Sequence, residues 1–158
     1  MSNFSLEKTI EILERTPIVL NSLLHGISDE WISANEGGET WTVFDVIGHL
    51  AHGEKTDWIP RMEIILSHST DKTFPTFDRF AQFEESKGKS LNELLTEFAE
   101  LREESITVLK SKNLKDVQLN LKGIHPAFGE VTLAQLLATW LVHDLDHIAQ
   151  ISRILAKQ

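Results

Sequence analysis

Apolar side chains recur along this chain at steps of three and four, the spacing that lays a hydrophobic stripe along one side of a helix. Between residues 5 and 25 the stripe is Leu6, Ile10, Leu13, Pro17, Leu20 and Leu24, with Gly26 as a stop. Pro17 permits two short helices, the second capped by Thr16, or one kinked helix; the kinked helix is the expectation. After a loop from Ser28 to Thr40, Thr42 and Asp45 form the halves of a capping box. The helix they open is expected to run to about Leu66 with a bend at Pro60. Ser90 and Glu93 open a third helix whose buried face is Leu91, Leu94, Leu95, Phe98, Leu101 and Leu109, ending near Lys112 ahead of Asn113. Thr132 and Gln135 cap a fourth that runs nearly to the C-terminus.

Two stretches interrupt the pattern. Residues 67–89 mix Pro75 and Gly88 with Phe74, Phe77, Phe80 and Phe83, and read as a long connection holding at most a turn or two of helix. Connections of this length usually serve a function or move. Residues 118–131 contain Gly123, Pro126 and Gly129, which forbid continuous helix, and no strand pattern of any length competes. Four long amphipathic helices predict an all-α, antiparallel four-helix bundle, up-down-down-up or a permutation of it, with residues 1–158 as one domain.

Composition removes several kinds of function. Twenty-four acidic residues against 15 Lys plus Arg give a formal charge of −9 and no basic patch, which argues against a nucleic-acid partner. With no Cys there is no disulfide, thiolate ligand or cysteine nucleophile, so any metal must sit on His, Asp or Glu. The N-terminal MSNFSLEKTIEILERT lacks the apolar core of a signal peptide, and no apolar run reaches the ~20 residues of a membrane span. A cytoplasmic protein without membrane contact is expected.

The histidines are where chemistry first shows. On the wheel of the fourth helix Leu133, Leu136, Trp140, His147, Ile151 and Ile154 all fall within about 80° of His143. His143 and His147 therefore interrupt a stripe that faces the core, one turn apart, a spacing that can place two imidazoles on one ion. Core histidines held by hydrogen bonds are the plain alternative. On the second helix His49 lies at the edge of the apolar arc of Val43, Ile47, Leu50 and Trp58 and is the third ligand candidate, whereas His52 points toward the polar side and reads as solvated. Three neutral imidazoles suit zinc, nickel, copper or ferrous iron and leave positions open for water or substrate.

The segments GETWTVFDVIGHLAHGE, IHPAFGEVT and LLATWLVHDLDHIAQISRILA, in this order behind a Thr-Pro in the first helix, resemble the DinB/YfiT-like superfamily of candidate metalloenzymes over essentially the whole chain. The resemblance implies a four-helix bundle with a divalent ion, nickel or zinc most often and iron in principle, on His49, His143 and His147. It also implies a small-molecule substrate, a homodimer, and in some relatives transfer of a low-molecular-weight thiol such as bacillithiol or mycothiol; others are labelled only as hydrolases. A metal ion that generates a nucleophile from water or a thiol suits a chain with neither Cys nor Tyr.

Other polar residues receive plainer readings. The motif H-D-L-D-H departs from the metalloprotease H-E-x-x-H, so Asp144 is not given the role of its general base. Asp144 falls inside the apolar arc and should be buried and paired with a helix terminus, a Trp N–H or an imidazole N–H; Asp146 reads as solvated. Glu54 and Asp57 read as surface ion-pair partners with no assigned role, and His125 as a turn residue. The aromatics at 74, 77, 80 and 83 pack a loop or close a flap, while Trp41 and Trp140 are core. The functional expectation is a metal-dependent S-transferase or hydrolase, against a non-catalytic metal-binding or helical interaction protein.

Overall fold

The computed structural model describes residues 4–157; residues 1–3 and 158, which the single-domain expectation included, lie outside the described residues. The N-terminal stripe forms two helices, α1 (Leu6–Leu13) and α2 (Thr16–Leu24), in place of the single kinked helix. Glu14 and Arg15 keep right-handed helical angles between them, and Thr16 is the first residue of α2, not its cap. Pro17 causes the interruption, because it lacks the N–H that would bond the Leu13 carbonyl. The freed carbonyl accepts instead from the Arg102 guanidinium at 2.9 Å.

A single turn, α3 (Asp29–Ile32), precedes α4 (Val43–Thr56), which opens on the expected box: Asp45 N–H donates to Thr42 Oγ1 at 3.1 Å and Thr42 N–H to Asp45 Oδ2 at 2.9 Å. This helix does not reach Leu66. Asp57 (φ −104°, ψ −66°) breaks it and α5 (Trp58–Leu66) begins anew, so Pro60 sits in a first turn, where its missing N–H has no helical partner to lose. The connection after α5 contains one short helix, α6 (Ala81–Ser86), before α7 (Leu91–Ser111), which starts at the Ser90–Glu93 box. Asn113 follows with φ 47°, a left-handed stop.

The segment ahead of the last helix differs most from expectation. After α8 (Asp116–Leu119), a hairpin forms from β1 (Lys122–His125) and β2 (Gly129–Thr132), antiparallel, with Lys122 opposite Thr132 and His125 opposite Gly129. Each strand has four residues, only half of them exposed, and no alternating apolar pattern announces it. Its anchor is backbone: Phe74 N–H donates to the Ile124 carbonyl and Ile124 N–H to the Lys72 carbonyl, both at 2.9 Å. A Cβ on Gly123 would stand 2.5 Å from the Phe74 ring, so only glycine admits the crossover here. The chain ends in α9 (Leu133–Ala156), opened by the Thr132–Gln135 box.

Two apolar clusters fill the bundle. One holds Leu20, Leu24, Ile47, Leu50, Leu94, Phe98, Ile151 and Ile154; the other Leu13, Trp58, Met62, Ile106, Leu109, Leu133, Leu137 and Trp140. The order in which each arm meets them gives the topology. The α1–α2 arm and α9 run from the second cluster to the first, and the α4–α5 arm and α7 run from the first to the second. The bundle is therefore up-down-down-up, and the parallel pairing of the middle arms is what requires the long crossover at 67–89. No described helix is long and apolar enough to cross a membrane.

Between the clusters lies a buried ionic layer. Arg102 of α7, 1% exposed, meets Asp144 of α9 through two bonds (Nη1–Oδ2 2.6 Å, Nη2–Oδ1 3.0 Å) and Glu54 of α4 at 2.7 Å. The Trp140 indole N–H donates to the same Glu54 oxygen at 3.1 Å. Asp144 is thus buried as expected but paired with a guanidinium, and Glu54 is not a surface residue: burial pushes its carboxyl above the ordinary range despite the Arg102 charge.

Candidate metal centre

His49 comes from the middle of α4, and His143 and His147 from successive turns of α9. The bundle brings them together: His49 Nε2 lies 2.9 Å and His147 Nε2 3.2 Å from His143 Nε2. All three ligand nitrogens fall within 4.8 Å of one another. Two glutamines fix the outer rings. His49 Nδ1 lies 2.9 Å from Gln82 Oε1 on α6, and His147 Nδ1 lies 2.8 Å from Gln150 Oε1 one turn along α9. A carbonyl oxygen only accepts, so each Nδ1 carries the hydrogen and each Nε2 turns its lone pair toward the centre.

All three rings are held neutral. Burial is the first cause: reinforced by neighbouring imidazoles it brings His49 to about 4 and His143 to about 2, and it lowers His147 against the opposing pull of Gln150, Asp144 and Asp146. The centre of the triad is thus an electron-rich point that a cation, or a single proton on His143 shared between its neighbours, would satisfy. Metal–imidazole bonds of about 2.0–2.1 Å at angles of about 90–110° separate the nitrogens by about 2.9–3.4 Å, which matches the two short separations here. Three imidazole donors suit a borderline divalent ion.

The triad opens onto a cavity of about 630 Å³. Trp41, with its ring 4.7 Å from His49, forms a wall of this cavity and is only partly buried, while Trp140 is core as expected. Phe77 packs edge-on to His49 at 5.6 Å; among the other loop aromatics Phe74 is buried, and Phe80 is 65% exposed. The crossover therefore covers the site with one aromatic and leaves another in solvent. His52 is not solvated: it is 4% exposed, with Nδ1 3.1 Å from Glu85 of α6. Asp57 also lines the cavity, bound to Arg61 at 3.1 Å, and His125 reaches the same space. Asp146 is exposed, as its sequence position indicated.

A model of the DinB superfamily matches residues 12–151. The chain belongs to that superfamily. This DinB-superfamily chain is 26% identical over 150 residues to a candidate metal-dependent hydrolase, YfiT, of Bacillus subtilis (strain 168), covering 94% of its own length and 83% of the relative's. The solved structure of YfiT, described as having an unusual four-helix bundle topology, superposes with a TM-score of 0.82 at 24% identity, over 99% of this chain and 91% of that one. A second four-helix bundle protein, TT2238, gives a TM-score of 0.62 at 21% identity, over 97% and 100% of the two chains. These likenesses establish the DinB bundle fold.

The sequence pattern does not single out Gln82 or Arg102, and it displays Gln150 only as part of the C-terminal motif. Gln150 had a local signal, three residues after His147 on the same helix. Gln82 had none, standing 33 residues from the histidine it orients.

Proposed function

We propose that this protein is a divalent-metal-dependent enzyme that sets water or a small thiol against an electrophilic small molecule, acting as a hydrolase or a thiol S-transferase. The observation that carries the proposal is the convergence of three neutral imidazole nitrogens, each turned inward, at the wall of a largely apolar cavity. A bound zinc, nickel or iron ion supplies Lewis acidity there and brings the pKa of a coordinated water or thiol toward neutrality. His49, His143 and His147 would hold it, and a three-ligand set leaves positions for a nucleophile and a substrate. Gln82 and Gln150 keep the outer rings in the ligating tautomer. Trp41, Trp58 and Phe77 keep bulk water away and offer apolar surface to a substrate. No Ser, Cys, Lys or Tyr lines the cavity among the described residues, Asp57 is engaged by Arg61 and the Thr139 hydroxyl by the Gln135 carbonyl, and the proposal takes its nucleophile from solution. The name carried by YfiT favours the hydrolytic limb. A homodimer belongs to the proposal as well, supported by the exposed Val142 and Leu145 of α9.

The test is elemental mass spectrometry of untagged protein beside a His143→Ala/His147→Ala variant. It is followed by turnover of 4-nitrophenyl acetate in water and of 1-chloro-2,4-dinitrobenzene with cysteine or bacillithiol. About one ion per chain is expected, lost together with turnover in the variant. Protein that holds no ion after zinc, nickel and ferrous iron are added back sinks the proposal, and an ion without either reaction selects the non-catalytic alternative.

A further inference from the structure

The cavity contains a second place where like groups face one another. His125, at the end of β1, accepts two backbone hydrogen bonds at Nδ1, from Ala127 N–H at 3.0 Å and Phe128 N–H at 3.3 Å. A nitrogen that accepts carries no hydrogen, so the hydrogen of the neutral ring is on Nε2. Burial and the nearby Arg61 charge lower the pKa of this ring, in keeping with the neutral form. Nε2 lies 3.3 Å from Arg61 Nη1. A guanidinium only donates, so this contact sets two N–H donors against each other. They cannot bond mutually; they can share an acceptor placed between them.

Other parts of Arg61 are engaged by Asp57 and Phe74. Arg61 is 6% exposed, its Nη2 is held by Asp57 at 3.1 Å, and its guanidinium lies 5.6 Å from the centre of the Phe74 ring. Arg61 and His125 both line the cavity, and Nη1 and His125 Nε2 have no acceptor among the described residues.

We propose that Arg61 and His125 form a subsite for a carboxylate carried by the substrate. The proposal rests on the assignment of this cavity as the substrate site. Two donors match the two oxygens of one carboxylate. Asp57 restricts the charge: it already balances the guanidinium, so the subsite carries no net positive charge and accommodates a monoanion more readily than a phosphate dianion. Phe128 and Phe74, with rings 4.6 and 6.0 Å from His125, give the subsite aromatic surroundings suited to an aryl or other apolar acid. A molecule anchored here extends along the cavity whose other wall carries the three histidines.

The test uses EDTA-treated full-length protein titrated with benzoate, benzamide and inorganic phosphate, with calorimetry for affinity and imidazole 1H–15N spectra for location. Benzoate is expected to shift the His125 Nε2–H resonance. Benzamide and phosphate should bind at least about tenfold more weakly, the order contributed by a charge-assisted hydrogen bond. In His125→Asn the amide oxygen keeps the turn acceptor while the Nε2–H is lost, and benzoate affinity should fall about tenfold. Arg61→Lys, which keeps the charge beside Asp57 but removes the donor fork, should weaken it similarly. Benzamide binding as well as benzoate, phosphate binding more tightly, or benzoate affinity unchanged in both folded variants overturns the assignment, as does no anion binding at all. Because the titration is metal-free, benzoate binding by a protein that fails the metal test supports the subsite while the proposed function falls.

Discussion

Replacing Arg102 by methionine is the most demanding perturbation of this bundle, because a volume-matched side chain leaves the packing nearly intact while removing the only cation in the ionic layer among the described residues. Four hydrogen bonds disappear, to the Leu13 carbonyl, both Asp144 oxygens and Glu54 Oε1, all between 2.6 and 3.0 Å. Asp144 and Glu54, 0% and 4% exposed, are then left as two carboxylates without a counter-charge. Removing one side of a buried ion pair costs about 3–5 kcal/mol, a large share of the roughly 5–15 kcal/mol that holds a domain together. For a chain of this length that lowers Tm by about 10 °C or more. Urea titration and calorimetry of the metal-free protein measure it without interference from ion binding. Arg102→Met/Glu54→Gln/Asp144→Asn, which removes the stranded charges too, should recover at least about half of the loss. A single variant that loses less than about 1 kcal/mol, or a triple variant no better than the single, would refute the assignment of the loss to uncompensated charge.

Three further outcomes follow from the same contacts. The metal-free protein should lose stability on acidification: His49 at about 4 and His143 at about 2 titrate below the 6.5 of an exposed imidazole, so the unfolded chain takes up protons first as pH falls. The loss begins near pH 6.5, continues to about pH 4 at about 1.4 kcal/mol per pH unit per ring, and is read from urea midpoints between pH 7.5 and 5; a flat profile contradicts it. Gln82→Leu, which withdraws the acceptor from His49 Nδ1, should lower metal affinity about 10–100-fold in competition with a chelating dye, and unchanged affinity would deny the glutamine its orienting role. Gly48→Ala should destabilise by about 1–3 kcal/mol, because the new Cβ stands 2.5 Å from Ser86 Oγ; adding Ser86→Ala leaves only an ordinary 3.6 Å contact and should restore most of the loss in thermal melts.

The parts of the molecule readable from sequence are those governed by local spacing. The boxes at Thr42, Ser90 and Thr132 place three helix starts correctly because both partners lie within one turn. The wheel selects His143 and His147 because they interrupt an apolar face, and His49 because it lies at the edge of one. Arg102 left a fainter mark: the apolar stripe runs from Leu91 to Leu101 and resumes at Ile106, and Arg102 and Ser105 lie buried in that gap. Its meaning depends on Glu54 and Asp144 occupying comparable gaps on two other helices, which one helix alone does not display. The same holds for Gln82 and the hairpin, whose partners are supplied by distant chain. The break at Asp57 instead of Pro60 belongs with them, since a proline in a first turn leaves no local sign of where the preceding helix stops.

Pro17 has a consequence for how the bundle chooses its alignment. By leaving the Leu13 carbonyl open to Arg102, it draws the first arm into a junction where all four arms meet at one guanidinium. Sliding any arm by a turn, about 5.4 Å, would leave hydrocarbon packed against hydrocarbon much as before, yet it would withdraw an acceptor from a buried charge. The junction acts as a combination lock: apolar packing tolerates several settings, and the charge admits one. Since His49 and Glu54 share α4, and His143, Asp144 and His147 share α9, the setting that closes the lock is also the one that brings the three imidazoles level.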